Sequence, residues 1–356
     1  MFKLLDGSQT LGRGWTFWSC FLVVLAVALI YPVFADSYDV GNFSYFLIWI
    51  FMALGLCLMW GYGGMLSFGQ TLFFGIAGYS YGVLAINMGG GSTTIIALVL
   101  SIVIAMIAAG ILGYFMIWGG INGIFFGIVT LSATLVLAFF LGQTAGPEWH
   151  IGPARLNGYN GMKGMDPLTI GDYYIEGSAL YYFMVALIVA VYLALRVLVN
   201  SRIGNVIVAT RENPQRAEML GYDVRKYQLL TFVIGSGLAG LSGALYTSWG
   251  QFITPSSIGL PAAAMPIVWV AFSGRSDLTA TLVGSFVLLF GFQTITVYSQ
   301  QAALVLMGAL LLATVMLAPQ GFVLGIGKLV ADRWNARKRS ANSSLPDTSR
   351  LQTDET

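Results

Sequence analysis

Long apolar runs separated by short clusters of Gly, Pro and polar residues dominate this chain. A helix needs about 20 mostly apolar residues to cross a bilayer. Runs of that kind lie near 15–35, 43–60, 71–88, 94–117, 121–141, 179–199, 228–249, 262–273, 278–298 and 302–318. The stretch 262–273 is too short to span and reads as half of a broken helix or a re-entrant piece. The run from Trp15 to Phe34 exceeds the roughly 7–15 residues of a signal-peptide apolar core and reads as the first spanning helix. Composition agrees: 57% of residues are hydrophobic and 9% charged, against about 25% charged in soluble domains. The expected fold is an all-α polytopic membrane protein of about ten segments.

Orientation follows from Lys and Arg in short loops, which favour the cytoplasmic side. Lys3 and Arg13 precede the first segment; Arg202, Arg211, Arg216, Arg225 and Lys226 lie between the sixth and seventh; Lys328, Arg333, Arg337, Lys338 and Arg339 follow the last. Segment parity puts all three groups on one side, with both termini cytoplasmic. The expected organisation is a cytoplasmic N-terminus over 1–14, a transmembrane domain over 15–318 and a largely disordered cytoplasmic tail over 319–356. Within the domain, a basic loop at 200–227 faces inward and a loop at 142–178 faces outward, where Glu148, Asp166, Asp172 and Glu176 outnumber Arg155 and Lys163.

Two sets of five segments would be inverted relative to each other, as in many transporters. The Gly-broken junction Gly61–Gly69 and the Gly/Pro-broken stretch Gly250–Pro266 fall at corresponding positions in the two sets. Paired interruptions of this sort point to a translocation path, and ordinary interhelical turns are the alternative. Tyr62, Ser67, Gln70, Asn122 and Thr130 stand beside the interruptions as candidate path residues. The same side chains could instead satisfy backbone groups that the glycines free. Small residues recur every four positions at Gly119, Gly123 and Gly127, at Ala105, Ala109 and Gly113, and at Gly235, Ala239 and Gly243. Such stripes let helices approach closely within one bundle or against a second subunit.

Several chemistries find no support. Cys20 and Cys57 sit in apolar runs outside any Cys-x-x-Cys or zinc spacing and read as small packing residues. The single histidine, His150, lies near Glu148 in the outer loop, where a solvated contact outweighs a metal or acid–base role. No catalytic site, no metal site and no nucleic-acid binding is indicated. Ionisable residues are missing from segment interiors, Arg196 being near a segment end, which disfavours a proton-coupled carrier. A G-x-x-x-x-G-K-[ST] phosphate loop is also missing. What remains is a pore or permease driven by another protein.

The basic loop then carries the interest. Asn213 suits a helix N-cap, Pro214 the first helical position and Gly221 the residue just past the end. Between them PQRAEML makes a helix of about two turns, suited to docking in a partner's groove.

Ser201-Arg202-Ile203-Gly204, Ala209 to Pro214, Leu220 to Val224, and Leu238 to Tyr246, together with Gly61 to Gln70 and Phe73 to Tyr79, resemble the permease subunits of branched-chain amino acid ABC importers. The likeness is to the second of the two paired permeases and covers nearly all of 43–318. It implies four kinds of partner: a homologous permease, two cytoplasmic ATPase subunits, an extracytoplasmic solute-binding protein and membrane lipid. ATP and Mg would be bound by the ATPases, and this chain would hold no cofactor and be no enzyme. The expected location is the bacterial inner membrane. By the resemblance the loop helix is the coupling helix, with Arg211, Glu212, Asn213, Pro214, Arg216, Leu220 and Gly221 as its contact residues. The expected function is import of a small solute, foremost branched-chain amino acids. Urea or short amides, and an ion-coupled secondary carrier, are the alternatives. The turn Phe272 to Thr279 and the outer motif Leu156 to Gly161 depart from the family's usual glycine patterns.

Overall fold

The computed structural model describes residues 5–7, 9–10, 12–171, 173–318 and 321–325. Lys3, Asp172, Lys328 and the basic tail, on which part of the orientation argument and the disordered-tail expectation rest, lie outside them. The apolar runs become helices α1 (Gly14–Phe34), α2 (Ser37–Leu56), α3 (Gln70–Asn87), α4 (Thr93–Trp118), α5 (Ile124–Gly142) and α6 (Gly177–Asn200). Two short helices come next, α7 (Arg202–Glu212) and α8 (Pro214–Met219), then α9 (Val224–Gly250), α10 (Leu260–Ser273), α11 (Leu278–Tyr298) and α12 (Gln300–Leu317).

Among the described residues, nine helical stretches are long and apolar enough to cross a membrane, which makes the chain a multi-pass membrane protein. Two expectations change. The stretch 262–273 is longer than its apolar run: α10 begins at Leu260 behind a 3-10 turn at Pro255–Ser257, and Pro255–Ser273 makes a 19-residue candidate span. Conversely α3 is not among the nine. Most of its residues are buried, so it meets protein and not lipid, and can carry Gln70, Thr71 and several glycines.

Helix α9 is the axis of the bundle, packing on α2, α3 and α4 through its small residues. A side chain on Gly235 would overlap Met59, one on Gly240 would meet Ala105, and one on Gly243 would overlap the Phe74 backbone. The α4 and α9 stripes therefore serve packing within this subunit. The 119–127 stripe is not one helix face: α4 stops at Trp118 and α5 starts at Ile124, so only Gly127 of the three is helical. Gly120 (φ +74°) and Gly123 (φ +59°) make the turn between them. Helices α1, α4, α5 and α12 leave many large apolar side chains exposed, as lipid or another membrane subunit requires. Cys20 lies exposed on α1, and only Cys57 is buried.

The two Gly-broken stretches meet inside the bundle. Helix α2 ends in a π-helical turn, Cys57–Tyr62, after which Gly64 (φ +73°) reverses the chain so that Met65 N–H donates to the Met59 carbonyl at 2.9 Å. Residues 65–69 fold back against α5. From the other end of the bundle, β2 (Phe252–Ile253) and the turn at Pro255–Ser257 run inward from α9. Thr71 Oγ1 donates to the Ile258 carbonyl at 3.2 Å, joining the two. The long loop holds its partner stretch from outside: β1 (Met162–Lys163) pairs antiparallel with β2, in the register Met162 opposite Ile253.

The sequence pattern places Arg196 near a helix end; the structure buries it completely on α6. Its guanidinium donates to the Leu5 and Gly12 carbonyls and, at 2.8 Å, to the Tyr192 hydroxyl, with Asp6 at 3.8 Å and the Phe17 ring under it. The N-terminal segment is thus drawn onto the bundle end that carries α7 and α8, here termed the basic end. A buried charge is tolerated only when paired and hydrogen-bonded, and Arg196 meets both conditions. We expect Arg196→Met to cost on the order of 3 kcal/mol, since hydrogen bonds to a charged group contribute about 1.5–3 kcal/mol each. Thermal unfolding in detergent should show the loss, and a cysteine placed at Gln9 should become reactive to maleimide.

Candidate functional site

The basic end concentrates the predicted coupling residues. Ser201 caps α7, accepting from Gly204 N–H at 3.3 Å, and Ile203, Val206, Ile207 and Thr210 recur at helical spacing, the last three buried against the bundle. The loop at 200–227 is therefore two helices, where the caps alone had indicated only the second. The signal for the first was present in Ser201 and the i, i+3, i+4, i+7 stripe.

Helix α8 has the ends its sequence dictates. Asn213 Oδ1 accepts from Arg216 N–H at 2.9 Å, and Pro214 takes the first helical position. At the far end Gly221 sits at φ +87°. Its N–H donates to the Glu218 carbonyl at 2.9 Å and Tyr222 N–H donates to Ala217 at 3.2 Å. This is a Schellman close, which needs the left-handed residue that glycine supplies without strain. Six residues make α8, fewer than the expected PQRAEML because Leu220 leaves the helical conformation. Asp223 then caps α9 by accepting from Lys226 N–H at 3.3 Å, and a hydrogen bond from Lys226 holds its carboxyl below the ordinary value.

Ala217 turns α8 inward, while Met219 and Leu220 stand 86% and 76% exposed. Arg216 and Glu218 are exposed beside them. The tip of the sealed helix thus presents two adjacent large apolar side chains. Arg211 behaves differently from the other predicted contact residues. Its guanidinium turns back to donate to the Gly61 carbonyl and to Glu212, the latter from Nε at 3.0 Å.

The predicted path residues divide into three places. Ser67, Gln70 and Thr130 are buried together at the inner fold-back: Ser67 Oγ accepts from Gly69 N–H at 3.0 Å and Thr130 Oγ1 accepts from Phe68 N–H at 3.1 Å. Gln70 Nε2 approaches the Met59 sulfur at 3.0 Å, and its buried Oε1 has no partner. Tyr62 is apart from these, donating to the Gln9 carbonyl at 3.1 Å. Asn122 is exposed in the α4–α5 turn. There it lines, with Gly64, Arg211, Pro214, Glu218 and Arg225, a cavity of about 430 Å³ at the basic end. At the opposite end His150 Nδ1 lies 3.0 Å from the Gly152 carbonyl. Among the described residues, no cluster of His, Cys, Asp or Glu could hold a metal.

A multi-pass helical bundle with two interrupted segments meeting at its centre and a capped apolar knob at one face is a membrane transport permease in architecture. The family described as "Branched-chain amino acid transport system / permease component" matches residues 40–315, and the chain belongs to it. It is similar to the probable branched-chain amino acid transport permease protein LivM of Methanocaldococcus jannaschii, 23% identical over 273 residues, 67% of this chain and 76% of the relative. It is also similar to the probable branched-chain amino acid transport permease protein LivH of the same organism, 25% identical over 173 residues, 46% of this chain and half of the relative. No solved structure matches it significantly.

The geometry of α8 gives a direct check. Asn213→Ala leaves Arg216 N–H without its acceptor and should cost about 1 kcal/mol of local stability. Hydrogen exchange of amides 215–219 should quicken about fivefold, with α9 amides unchanged.

Proposed function

We propose that this chain is the membrane subunit of an ATP-driven importer that takes branched-chain amino acids from an extracytoplasmic binding protein and releases them into the cytoplasm. The observation that carries this reading is the outward pair Met219 and Leu220 on a helix whose ends are closed by its own residues. A docking helix must keep its shape while its apolar tip enters a partner's groove, and α8 is built that way. Glu212, Asn213, Pro214, Arg216, Leu220 and Gly221 shape or flank this surface. An ATPase subunit holding ATP and Mg docks there, and a second docks on a homologous permease beside this one. The basic end is then cytoplasmic, with both termini, and the membrane is the bacterial inner membrane.

Transport of the solute passes the central meeting of residues 65–71 with 251–258, lined by Ser67, Gln70 and Thr130. Irregular backbone occurs at membrane depth only where it lines a cavity or is enclosed by protein, and the spare Gln70 Oε1 is a polar group available to a passing solute. Selectivity is assigned to the binding protein.

In vesicles holding the assembled complex, leucine uptake should require ATP and the binding protein. Uptake of urea or acetamide in its place would move the solute assignment, and ion-gradient uptake by this chain alone would overturn the importer reading. Exchanging Met219 and Leu220 together for Ser should lower co-purification of the ATPase and leucine-stimulated ATP hydrolysis by on the order of tenfold or more, the scale of a lost hot spot. Membrane insertion should be unchanged.

A further inference from the structure

Arg211 separates from the docking surface and joins it to the core. We propose that Arg211 is a positioning residue that transmits displacement of α8 to the π-helical turn of α2, and that it makes no contact with the ATPase itself. The proposal rests on the reading that α8 is the docking helix.

The connections run through single atoms. Glu212 immediately precedes Asn213, the cap of α8, and its carboxylate is held by Arg211 from Nε at 3.0 Å and from Nη2. The remaining edge of the same planar group donates through Nη1 to the Gly61 carbonyl. Gly61 is in the last turn of α2, where carbonyls have no helical partner, and a cation beside a helix C-terminus is favoured by the helix dipole. The stem of Arg211 lies against Gly64, where an added Cβ would come within 2.7 Å of Arg211 Cγ. A guanidinium can hold a carboxylate and a carbonyl at fixed angles at once; an ammonium is a point charge without that geometry.

The surroundings of Gly61 make the contact consequential. On its other side the Arg275 carbonyl, in the α10–α11 turn, packs where a Gly61 side chain would be. The Cys57 thiol donates to that same oxygen at 3.3 Å, and the Arg275 guanidinium lies 5.2 Å from the Trp60 ring centre. The Gly61 backbone is therefore wedged between the docking segment and α10–α11, with no side chain to absorb movement. The turn it belongs to is π-helical, a rare geometry concentrated at functional sites. Return of one residue to α-helical winding would rotate the fold-back that carries Ser67 and Gln70 by about 100°. Arg211 also lines two cavities at this end, of about 430 and 470 Å³, so its side chain has free volume in which to swing.

The test uses the complete complex in proteoliposomes with ATP, binding protein and leucine. Arg211→Gln and Arg211→Lys should keep co-purification of the ATPase within twofold, while leucine moved per ATP hydrolysed falls at least tenfold. Gly64→Ala, which leaves Arg211 in place but crowds its stem and strains a φ of +73°, should uncouple in the same way and stands in should the Arg211 variants fail to fold. A wild-type transport ratio in these variants overturns the proposal. So does loss of the ATPase from Arg211→Gln to the extent seen for the Met219 and Leu220 exchange, because Arg211 would then be a contact residue. Absence of ATP-driven uptake by the wild-type complex would instead sink the importer reading.

Discussion

In a bilayer no water reaches an exposed N–H or C=O, so every backbone polar group at membrane depth must find its partner within the protein. The rest of this structure depends on how that requirement is met at two places where helices are broken. Residues 65–69 lie buried or half-buried in the bundle, as do 252–255 and 257–259, while Gln251 and Ser256 are exposed. Thr130 and Ser67 accept the N–H groups of Phe68 and Gly69, and Thr71 donates to the carbonyl of Ile258. The second stretch gains a further ladder from β1. Helix α3, which joins both, is consequently surrounded by protein, and its low hydropathy is tolerated.

Close approach takes the part that hydrophobic burial plays in water. Lipid tails are as apolar as side chains, so helices gain little by hiding from them and associate through van der Waals contact between backbones. Helix α9 lies at the axis because it can offer Gly235, Gly240 and Gly243 to three neighbours. Charge is handled with the same economy. Arg196 and Arg211 each cover main-chain carbonyls at the basic end, one fastening the N-terminal segment and the other the end of α2. Neither acts through an ion pair alone: Asp6 is 3.8 Å from Arg196, and Glu212 shares Arg211 with Gly61.

Local chemistry was legible in the chain. Asn213, Pro214 and Gly221 announce the ends of α8, because cap hydrogen bonds join residues only three to five apart. The long helices were legible too, since span length is set by bilayer thickness, and the interruptions showed as glycine clusters. The amphipathic helix α7 was obscured by the charges around it, although Ser201 and the stripe through Ile207 marked it. Polar side chains near the breaks were visible as a group, but their division among three places was not. Tyr62, Ser67 and Asn122 are near one another in order or in type, yet the direction of each depends on which helix stands opposite.

The sequence by itself determined that this is a many-helix membrane protein with a short helix sealed at both ends, because hydropathy, length and capping are properties of neighbouring residues. The tertiary structure alone decided that Arg196 is a buried fastener, that Arg211 points inward, that Gly61 is wedged against Arg275 and that Thr71 reaches Ile258. Each of these pairs residues far apart in the chain, by 150 positions for Arg211 and Gly61 and 187 for Thr71 and Ile258. No local pattern encodes such a contact; it exists only once the helices have packed.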